Sequence, residues 1–145
     1  MKIRLVDASL QRTWDTLMEM RLTCFPWEDS YNERHGDWWI AYDPMPVAFA
    51  AMQASVRTEG TGYLNLAGVL PHARGKGWQR KLIRVREREA LRKGWTVLVT
   101  DTRPSNPHSM NNLIACGFRP YAPSFPWSEH KEWVYWRKIL RRGVA

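Results

Sequence analysis

Residues 69–79 constrain the fold more than any other part of the chain. They place two glycines, Gly75 and Gly77, and two cations, Arg74 and Lys76, between a strand-like segment and a helix-like one. Glycines allow a tight turn whose successive N–H groups point outward, and a helix N-terminus adds partial positive charge. These features predict either a pyrophosphate-binding loop or a plain glycine turn with two solvated cations. The spacing fits neither a Walker loop nor the dinucleotide-binding GxGxxG pattern.

Upstream of this loop, the pattern is typical of an antiparallel meander. Strand-forming residues occupy positions 3–6, 38–42, 47–55 and 63–69, with turn signals at 43–46 and 60–62. Ser9 is predicted to cap a helix that runs to about Thr23. Residues 25–36 are predicted to form a loop or a helix fragment.

Downstream of the loop, helices and strands alternate. The helix after the loop is predicted to reach Lys93 and to stop at Gly94, and residues 96–100 have the β-branched, apolar character of a buried parallel strand. Residues 63–100 therefore form one β–loop–α–β unit. The remaining segments are a helix over 107–117 and strands starting at 118 and at 131. The order β-α-β-β-β-α-β-α-β-β predicts an α+β fold with a mixed, mostly antiparallel sheet of about seven strands.

Length and composition favour a single globular domain over residues 1–145. The hydrophobic content of 44% is too high for a disordered chain. The longest apolar run, residues 47–52, is too short to cross a membrane, and Asp7 interrupts any signal-like N-terminus. The two cysteines, Cys24 and Cys116, lack metal-ligand spacing, so we expect no metal and a cytoplasmic protein with reduced thiols.

Two compositional excesses suggest a partner. The net charge of +8 comes mostly from arginine, which favours phosphates or carboxylates, although a solvated basic surface explains it equally well. Nine tryptophans exceed what a small core needs, so some are predicted to line a pocket or a partner surface. If the chain is a homodimer rather than a monomer, Trp133, Tyr135 and Trp136 on the last strand are candidates for the dimer surface.

In this context the motifs resemble those of the GNAT superfamily, the N-acyltransferases that use acetyl-CoA. The family loop Q/R-x-x-G-x-G/A is matched by residues 74–79, and the downstream pattern N…A…Y…GF is matched by Asn106 and Gly117-Phe118. The resemblance covers at least residues 63–121, and the order of elements extends it over the whole chain. It implies a GNAT-like fold with a splayed parallel strand pair, and direct transfer of an acetyl group to a primary amine in a ternary complex.

The resemblance also implies which residues bind acetyl-CoA. Backbone groups that pair with pantetheine correspond to Ala67, Gly68 and Val69, where the missing Cβ of glycine permits close backbone approach. The residues of the pyrophosphate cradle correspond to Arg74, Gly75, Lys76, Gly77, Trp78 and Gln79. Asn106 corresponds to a side chain that hydrogen-bonds the pantetheine arm, and it is an equally good helix N-cap.

The chain departs from the family pattern at two positions. Gln79 replaces a small Gly or Ala, so its side chain either points away from the pyrophosphate or adds a hydrogen bond. Leu113 replaces the Tyr whose phenol protonates the departing CoA thiolate, and leucine has no proton to donate. That leaves Ser109, Asn112, Tyr121 or water as the proton source.

A base is needed because only an uncharged amine attacks the thioester. Asp101 lies at the end of the predicted strand and five residues before Asn106, where some GNAT members carry a glutamate base. The alternative is a purely local role, in which Asp101 accepts hydrogen bonds from the turn that follows. Trp27, Glu28 and Asp29 lie in a loop that borders the acceptor side in this family, and acids there would attract a cationic amine.

Other function classes remain open at this point. Six arginines and lysines on the helix after the loop would suit a nucleic-acid-binding module, but they circle the helix and alternate with acids. A GNAT-like domain that binds CoA without turnover is the second alternative, which Leu113 leaves open. The acceptor is a small amine, a protein N-terminus or lysine, or aminoacyl-tRNA.

Overall fold

The computed structural model describes residues 2–27, 33–127 and 132–140. The strands in these ranges are β1 (Lys2–Val6), β2 (Asp37–Tyr42), β3 (Pro46–Ala54), β4 (Thr61–Val69), β5 (Val97–Thr102), β6 (Arg119–Tyr121) and β7 (Val134–Ile139). The helices are α1 (Gln11–Cys24), α2 (Trp78–Arg92) and α3 (Pro107–Ala115), and a 3-10 turn, Pro71–Ala73, precedes α2. The predicted order of helices and strands is confirmed.

The strands form one sheet in the order β1-β2-β3-β4-β5-β7-β6. The pairs β1–β2, β2–β3, β5–β7 and β6–β7 are antiparallel, whereas β4 and β5 run parallel. Parallel neighbours need a long crossover, which here contains the 3-10 turn and α2. The mixed, mostly antiparallel α+β fold is therefore confirmed.

The first of two compact units comprises residues 1–53 and 66–82. Its core forms because α1 places apolar residues at helical spacing on one face, and β2 and β3 add theirs. Its fully buried members include Leu17, Trp38 and Phe49, and Trp14 meets Trp38 edge-to-face at 5.4 Å between ring centroids. The apolar run of residues 47–52 is thus a buried strand segment.

The second unit comprises residues 54–65 and 83–145. Buried polar side chains there are bound to neighbours: Thr100 Oγ1 donates to the Leu64 carbonyl at 2.7 Å, and Trp136 Nε1 donates to Thr102 Oγ1 at 2.9 Å. Lys138 Nζ donates to the Cys116 carbonyl at 2.7 Å. That one domain spans residues 1–145 stays a prediction.

The predicted cap at Ser9 is wrong. The N-cap of α1 is Leu10, which makes no side-chain cap bond, and the helix ends at Cys24. The Ser9 hydroxyl instead donates to Asp7 Oδ1 at 2.6 Å. Asp7 accepts from both the backbone N–H and the hydroxyl of Ser9, so Ser9 belongs to the turn before the helix, one residue ahead of the N-cap position.

Several predicted strand limits are also corrected. β4 begins at Thr61 rather than 63, because Thr61 and Gly62 pair with β5, and β5 runs on through Asp101 and Thr102, which pair with β7. β6 starts at Arg119 instead of 118, and β7 starts at 134, while residue 131 lies outside the described ranges. Residues 25–27 and 33–36 are not helical. Pairing with a neighbouring strand set these limits, and local composition does not reveal pairing.

The predicted dimer surface on β7 is not supported. Trp136 and Tyr135 are buried, at 3% and 8% exposure, and Trp133 is half-buried. The reason is topological, because β7 lies between β5 and β6 rather than at the edge of the sheet.

Candidate functional site

The glycine loop in the first unit has the shape that its sequence predicts. Gly75 and Gly77 have φ angles of +79° and +82°, a region that favours glycine. A Cβ added to either residue would meet nothing within 4 Å, so conformation rather than crowding explains both glycines. The loop leads directly into α2, whose first backbone bond runs from Lys81 N–H to the Gly77 carbonyl at 3.2 Å.

This helix start has the electrostatics of an anion site. The first-turn N–H groups of an α-helix lack intrahelical acceptors and carry partial positive charge. No acidic residue occupies the first turn of α2, and Lys76 and Arg74 are exposed in the loop before it. Arg74 Nε donates to the Val69 carbonyl at 3.1 Å, which ties the loop to the end of β4. The same guanidinium opposes the rise that burial causes in the pKa of the Cys24 thiol.

The residues around the loop have separate roles in packing. Gly68 is buried, and a Cβ there would lie 2.7 Å from Phe49 Cε1 and 3.0 Å from Cys24 Sγ. Packing within the first unit therefore already requires this glycine. Trp78 is buried with Lys81 Nζ 4.8 Å from its ring centroid, so its backbone and not its indole belongs to the loop surface. Ala67, Val69 and Gln79 are half-buried.

Asn106 caps α3. Its side-chain oxygen accepts a hydrogen bond from Ser109 N–H at 3.1 Å, and Pro107 follows as the first helical residue. The N-cap interpretation is thus confirmed. The Nδ2 amide takes no part in this bond, so a ligand role for Asn106 stays a prediction.

We expect Asn106→Ala to lower the free energy of unfolding by about 1 kcal/mol, because the Ser109 N–H loses its acceptor. Asn106→Asp keeps an acceptor oxygen, and its negative charge interacts favourably with the positive helix N-terminus. Its free energy of unfolding should therefore be close to that of the unmodified protein. Urea unfolding measures both variants. Equal losses for the two variants would contradict the capping role.

The second unit surrounds Asp101 with hydrogen-bond donors and aromatic rings. Trp127 Nε1 donates to Asp101 Oδ2 at 2.7 Å, and the Tyr63 hydroxyl donates to Oδ1 at 3.3 Å. The Trp127 ring meets Tyr135 at 4.5 Å and Tyr63 at 5.9 Å between centroids, edge-on in both cases. Asp101 pairs with Tyr135 across β5 and β7. Two of the contacts that hold Asp101 are therefore tertiary, and a third, from its own backbone, is local.

Burial raises the pKa of the Asp101 carboxyl, against the hydrogen bonds from Trp127 and Tyr63, which lower it. A carboxylate with a raised pKa binds a proton more readily, which is the property that a general base needs. The pKa of the Tyr121 phenol is raised as well, mainly by burial and partly by Tyr135 and Asp101, against the lowering effect of Arg137. The Arg137 guanidinium lies 4.6 Å from the Tyr121 ring centroid.

Trp127→Phe keeps an aromatic ring but removes the indole donor, so we expect the pKa of Asp101 to rise further. Carbon-13 NMR titration of the carboxyl signals measures this pKa without any substrate. Trp95→Phe is the matched control, because Trp95 lies before β5 in the same unit, six residues from Asp101 along the chain. A pKa of Asp101 that is unchanged in Trp127→Phe would show that this hydrogen bond does not control its ionisation.

Sequence reasoning identified Asp101 but missed Tyr63 and Trp127. Local sequence gives no signal for Tyr63, because its proximity to Asp101 follows from the β4–β5 register: Tyr63 pairs with Val99, and Asp101 lies two residues further on the same face. Trp127 follows β6 in a segment without regular structure, and no local pattern points to its partner.

The expected substrate-binding loop is described only in part. Trp27 is 67% exposed and meets Phe25 edge-on at 6.1 Å between centroids. Glu28 and Asp29 lie outside the described residues. An acceptor-binding role for Trp27 and Glu28 stays a prediction.

Leu113 is buried on α3, at 5% exposure. Of the other predicted proton sources, Asn112 is buried and both Ser109 and Tyr121 are half-buried. Tyr121 is the one whose ionisation is linked to that of Asp101.

The remaining titratable groups offer no second centre within the described ranges. His35, His72 and His108 are exposed. Among residues 2–27, 33–127 and 132–140, no three His, Cys, Asp or Glu side chains lie close enough to hold a metal ion. In the same ranges, every helix is too short or too polar to cross a membrane.

Comparison with known proteins connects this geometry to one family. Residues 6–118 match the model of the acetyltransferase (GNAT) family. No curated protein is similar enough in sequence to match the chain.

Solved structures share the fold at low sequence identity. An acetyltransferase from Bacillus subtilis in complex with CoA has a TM-score of 0.76 at 18% identity, covering 97% of this chain and 99% of its own. The ribosomal-protein-S18-alanine N-acetyltransferase from Escherichia coli has a TM-score of 0.76 at 15% identity, covering 99% and 96%. A Salmonella typhimurium protein with its cofactor acetyl-CoA has a TM-score of 0.75 at 19% identity, covering 100% and 96%. At these identities the likeness shows the fold.

Proposed function

Because the chain belongs to the GNAT acetyltransferase family, we propose that it moves an acetyl group from acetyl-CoA to a primary amine by direct attack in a ternary complex. The observation that carries the proposal is the Asp101 carboxylate, which is held by two side-chain donors and whose pKa burial raises. Such a group is suited to accept the proton that the acceptor ammonium must lose before the amine attacks the thioester.

The glycine loop is proposed to bind the pyrophosphate of acetyl-CoA, which when bound supplies the thioester acyl group. The residues are Arg74, Gly75, Lys76, Gly77, Trp78 and Gln79. Two exposed cations, two left-handed glycines and a helix start without acids fit a doubly charged ligand. The backbone of Ala67, Gly68 and Val69 and the side chain of Asn106 are proposed to bind the pantetheine arm, since they follow the family pattern.

Asp101 is proposed as the general base, directly or through a water molecule. Trp127 and Tyr63 position the carboxylate. Burial raises its pKa, and the hydrogen bonds from these two side chains reduce that rise. Below its raised pKa the carboxyl is protonated and accepts nothing, so activity falls on the acid side. Leu113 has no proton to give, so Ser109, Asn112, Tyr121 or solvent protonates the departing thiolate.

The acceptor is proposed to be a cationic primary amine. Trp27 and Glu28 are its proposed contacts, and it is a small amine, a protein N-terminus or lysine, or aminoacyl-tRNA. The E. coli relative, by its name, acts on the alanine of a ribosomal protein, which makes peptide N-termini the first acceptors to test. We place the reaction in the cytoplasm, because Cys24 and Cys116 are both free thiols.

The deciding experiment is a thiol-release screen with acetyl-CoA. The acceptor panel contains small amines, peptides with free N-termini, lysine peptides and aminoacyl-tRNA, and mass spectrometry identifies the acetylated product. Release that depends on one acceptor class supports the proposal.

The alternative from the sequence is a GNAT-like domain that binds CoA without turnover, which Leu113 leaves open and the family match does not favour. It predicts CoA binding by calorimetry together with no thiol release from any acceptor. That result would refute the proposed transfer reaction.

A further inference from the structure

The exposed side of α2 carries only cations. Five residues of this helix are exposed, and each is an arginine or a lysine: Arg80, Lys81, Arg84, Arg88 and Arg92. With about 100° between successive residues of an α-helix, the five fall within about a third of its circumference. The expectation that the charges circle the helix is therefore wrong. Arg86, the residue whose sequence position extended the charges around the helix, is buried at 3% exposure.

The two acids of α2 do not interrupt this basic face. Glu87 is half-buried and its Oε1 accepts from Lys138 Nζ at 2.9 Å. Glu89 is also half-buried and pairs with Arg92 and Lys93 at the end of the helix. Within the described ranges, Arg84 and Arg88 have no acidic partner.

Folding alone does not account for this arrangement. Arg80, Arg84, Arg88 and Arg92 repeat at a spacing of four, and like charges at that spacing destabilise a helix. Their exposed side chains contribute little to the core. Arg92 pairs with Glu89 and Lys81 lies over the Trp78 ring, but Arg84 and Arg88 lower helix stability without an acidic partner in the described ranges, and an external anionic partner explains them.

We propose that the basic face of α2 binds the phosphate backbone of a nucleic acid without reading its sequence. Guanidinium groups match phosphate oxygens in a bidentate manner, and phosphate contacts position a protein without specifying bases. The stripe from Arg80 to Arg92 is about 18 Å long at 1.5 Å per residue, which equals the axial rise of about five base pairs of a duplex at about 3.4 Å each. None of the five exposed residues is aromatic, so base stacking is not part of the interaction.

The proposed surface is tested at residues of α2 that lie outside the glycine loop. The probe is a fluorescein-labelled, mixed-sequence RNA of twenty nucleotides, with a DNA duplex of equal length as a second arm, both measured by fluorescence anisotropy. The variant is Arg84→Glu with Arg88→Glu. It should fold, because the new glutamates lie four residues from Arg80 and Arg92, where opposite charges support a helix. Circular dichroism and CoA binding verify the fold.

The matched control is Lys2→Glu with Arg4→Glu, which reverses two exposed cations on β1 and changes the net charge by the same amount. At 100 mM salt we expect the α2 variant to bind at least tenfold more weakly than the control. The slope of log K against log salt should fall in magnitude by about 0.7 to 0.9 per lost contact in the α2 variant.

Equal losses in the two double variants would mean that net charge and not this face attracts the RNA, and the proposal would be wrong. It would also be wrong if polyglutamate or phosphatidylserine vesicles displaced the RNA at equal charge concentration. The result does not depend on acetyl transfer, since neither probe nor readout involves acetyl-CoA.

Discussion

Gly77→Asp is expected to abolish binding of CoA. The new carboxylate would lie at the N-terminus of α2, where the proposed pyrophosphate requires positive potential. Like charges in contact cost several kcal/mol, which corresponds to a loss of affinity on the order of 10²-fold or more. Calorimetry with CoA measures the affinity, and the shift of the melting temperature with added CoA gives a second reading.

The structure indicates that this variant still folds. A Cβ at Gly77 has open space around it, and aspartate tolerates the left-handed region better than most residues. An acid near a helix N-terminus also favours the helix itself. Gly77→Asn is the matched control, because it has the same size and backbone preference without the charge, and it should retain most of the affinity. If Gly77→Asp bound CoA normally, the pyrophosphate would lie elsewhere.

The fold could be predicted from sequence because its signals are local. The order of elements followed from periodicity, and the turn after β4 followed from two glycines that have φ near +80°. The limits of the strands were predicted less accurately than the order of the elements. Thr61 and Asp101 belong to strands only because a neighbouring strand pairs with them.

The tryptophan excess is explained mostly by packing. Five of the nine tryptophans are buried: Trp14, Trp38, Trp39, Trp78 and Trp136. Trp127 does lie at the candidate catalytic residue, whereas Trp27 is the one tryptophan that the described ranges leave exposed. The number of tryptophans predicted that some of them line a pocket or a partner surface, but composition does not show which ones do.

The candidate site shows the same division between local and tertiary information. The loop of residues 74–79 is contiguous, so its glycines and cations could be identified together. The surroundings of Asp101 come from β4, from β7 and from the segment after β6. Those contacts set its pKa, and they exist only after the chain has folded.

Asp101→Asn is expected to lower kcat by roughly 10²- to 10⁴-fold, the usual contribution of a general base. The substitution keeps the size of the side chain, and an amide oxygen can still accept the hydrogen bond from Trp127 Nε1. CoA affinity should change little, because Asp101 lies outside the glycine loop. Steady-state kinetics with the acceptor found in the thiol-release screen measures the loss.

Stability separates this catalytic loss from misfolding. Because burial raises the pKa of Asp101 in the folded state, the folded protein binds this proton more tightly than the unfolded chain. The contribution of Asp101 to the free energy of unfolding therefore falls as pH rises from the ordinary carboxyl pKa through the raised pKa. At neutral pH the ionised form is the one that lowers the stability of the folded protein. The neutral Asn removes that cost, so Asp101→Asn should melt at no lower temperature than the unmodified protein at pH 7. A large kcat loss with an undiminished melting temperature identifies Asp101 as the base, whereas an unchanged kcat with a raised KM would make it a residue that positions the acceptor.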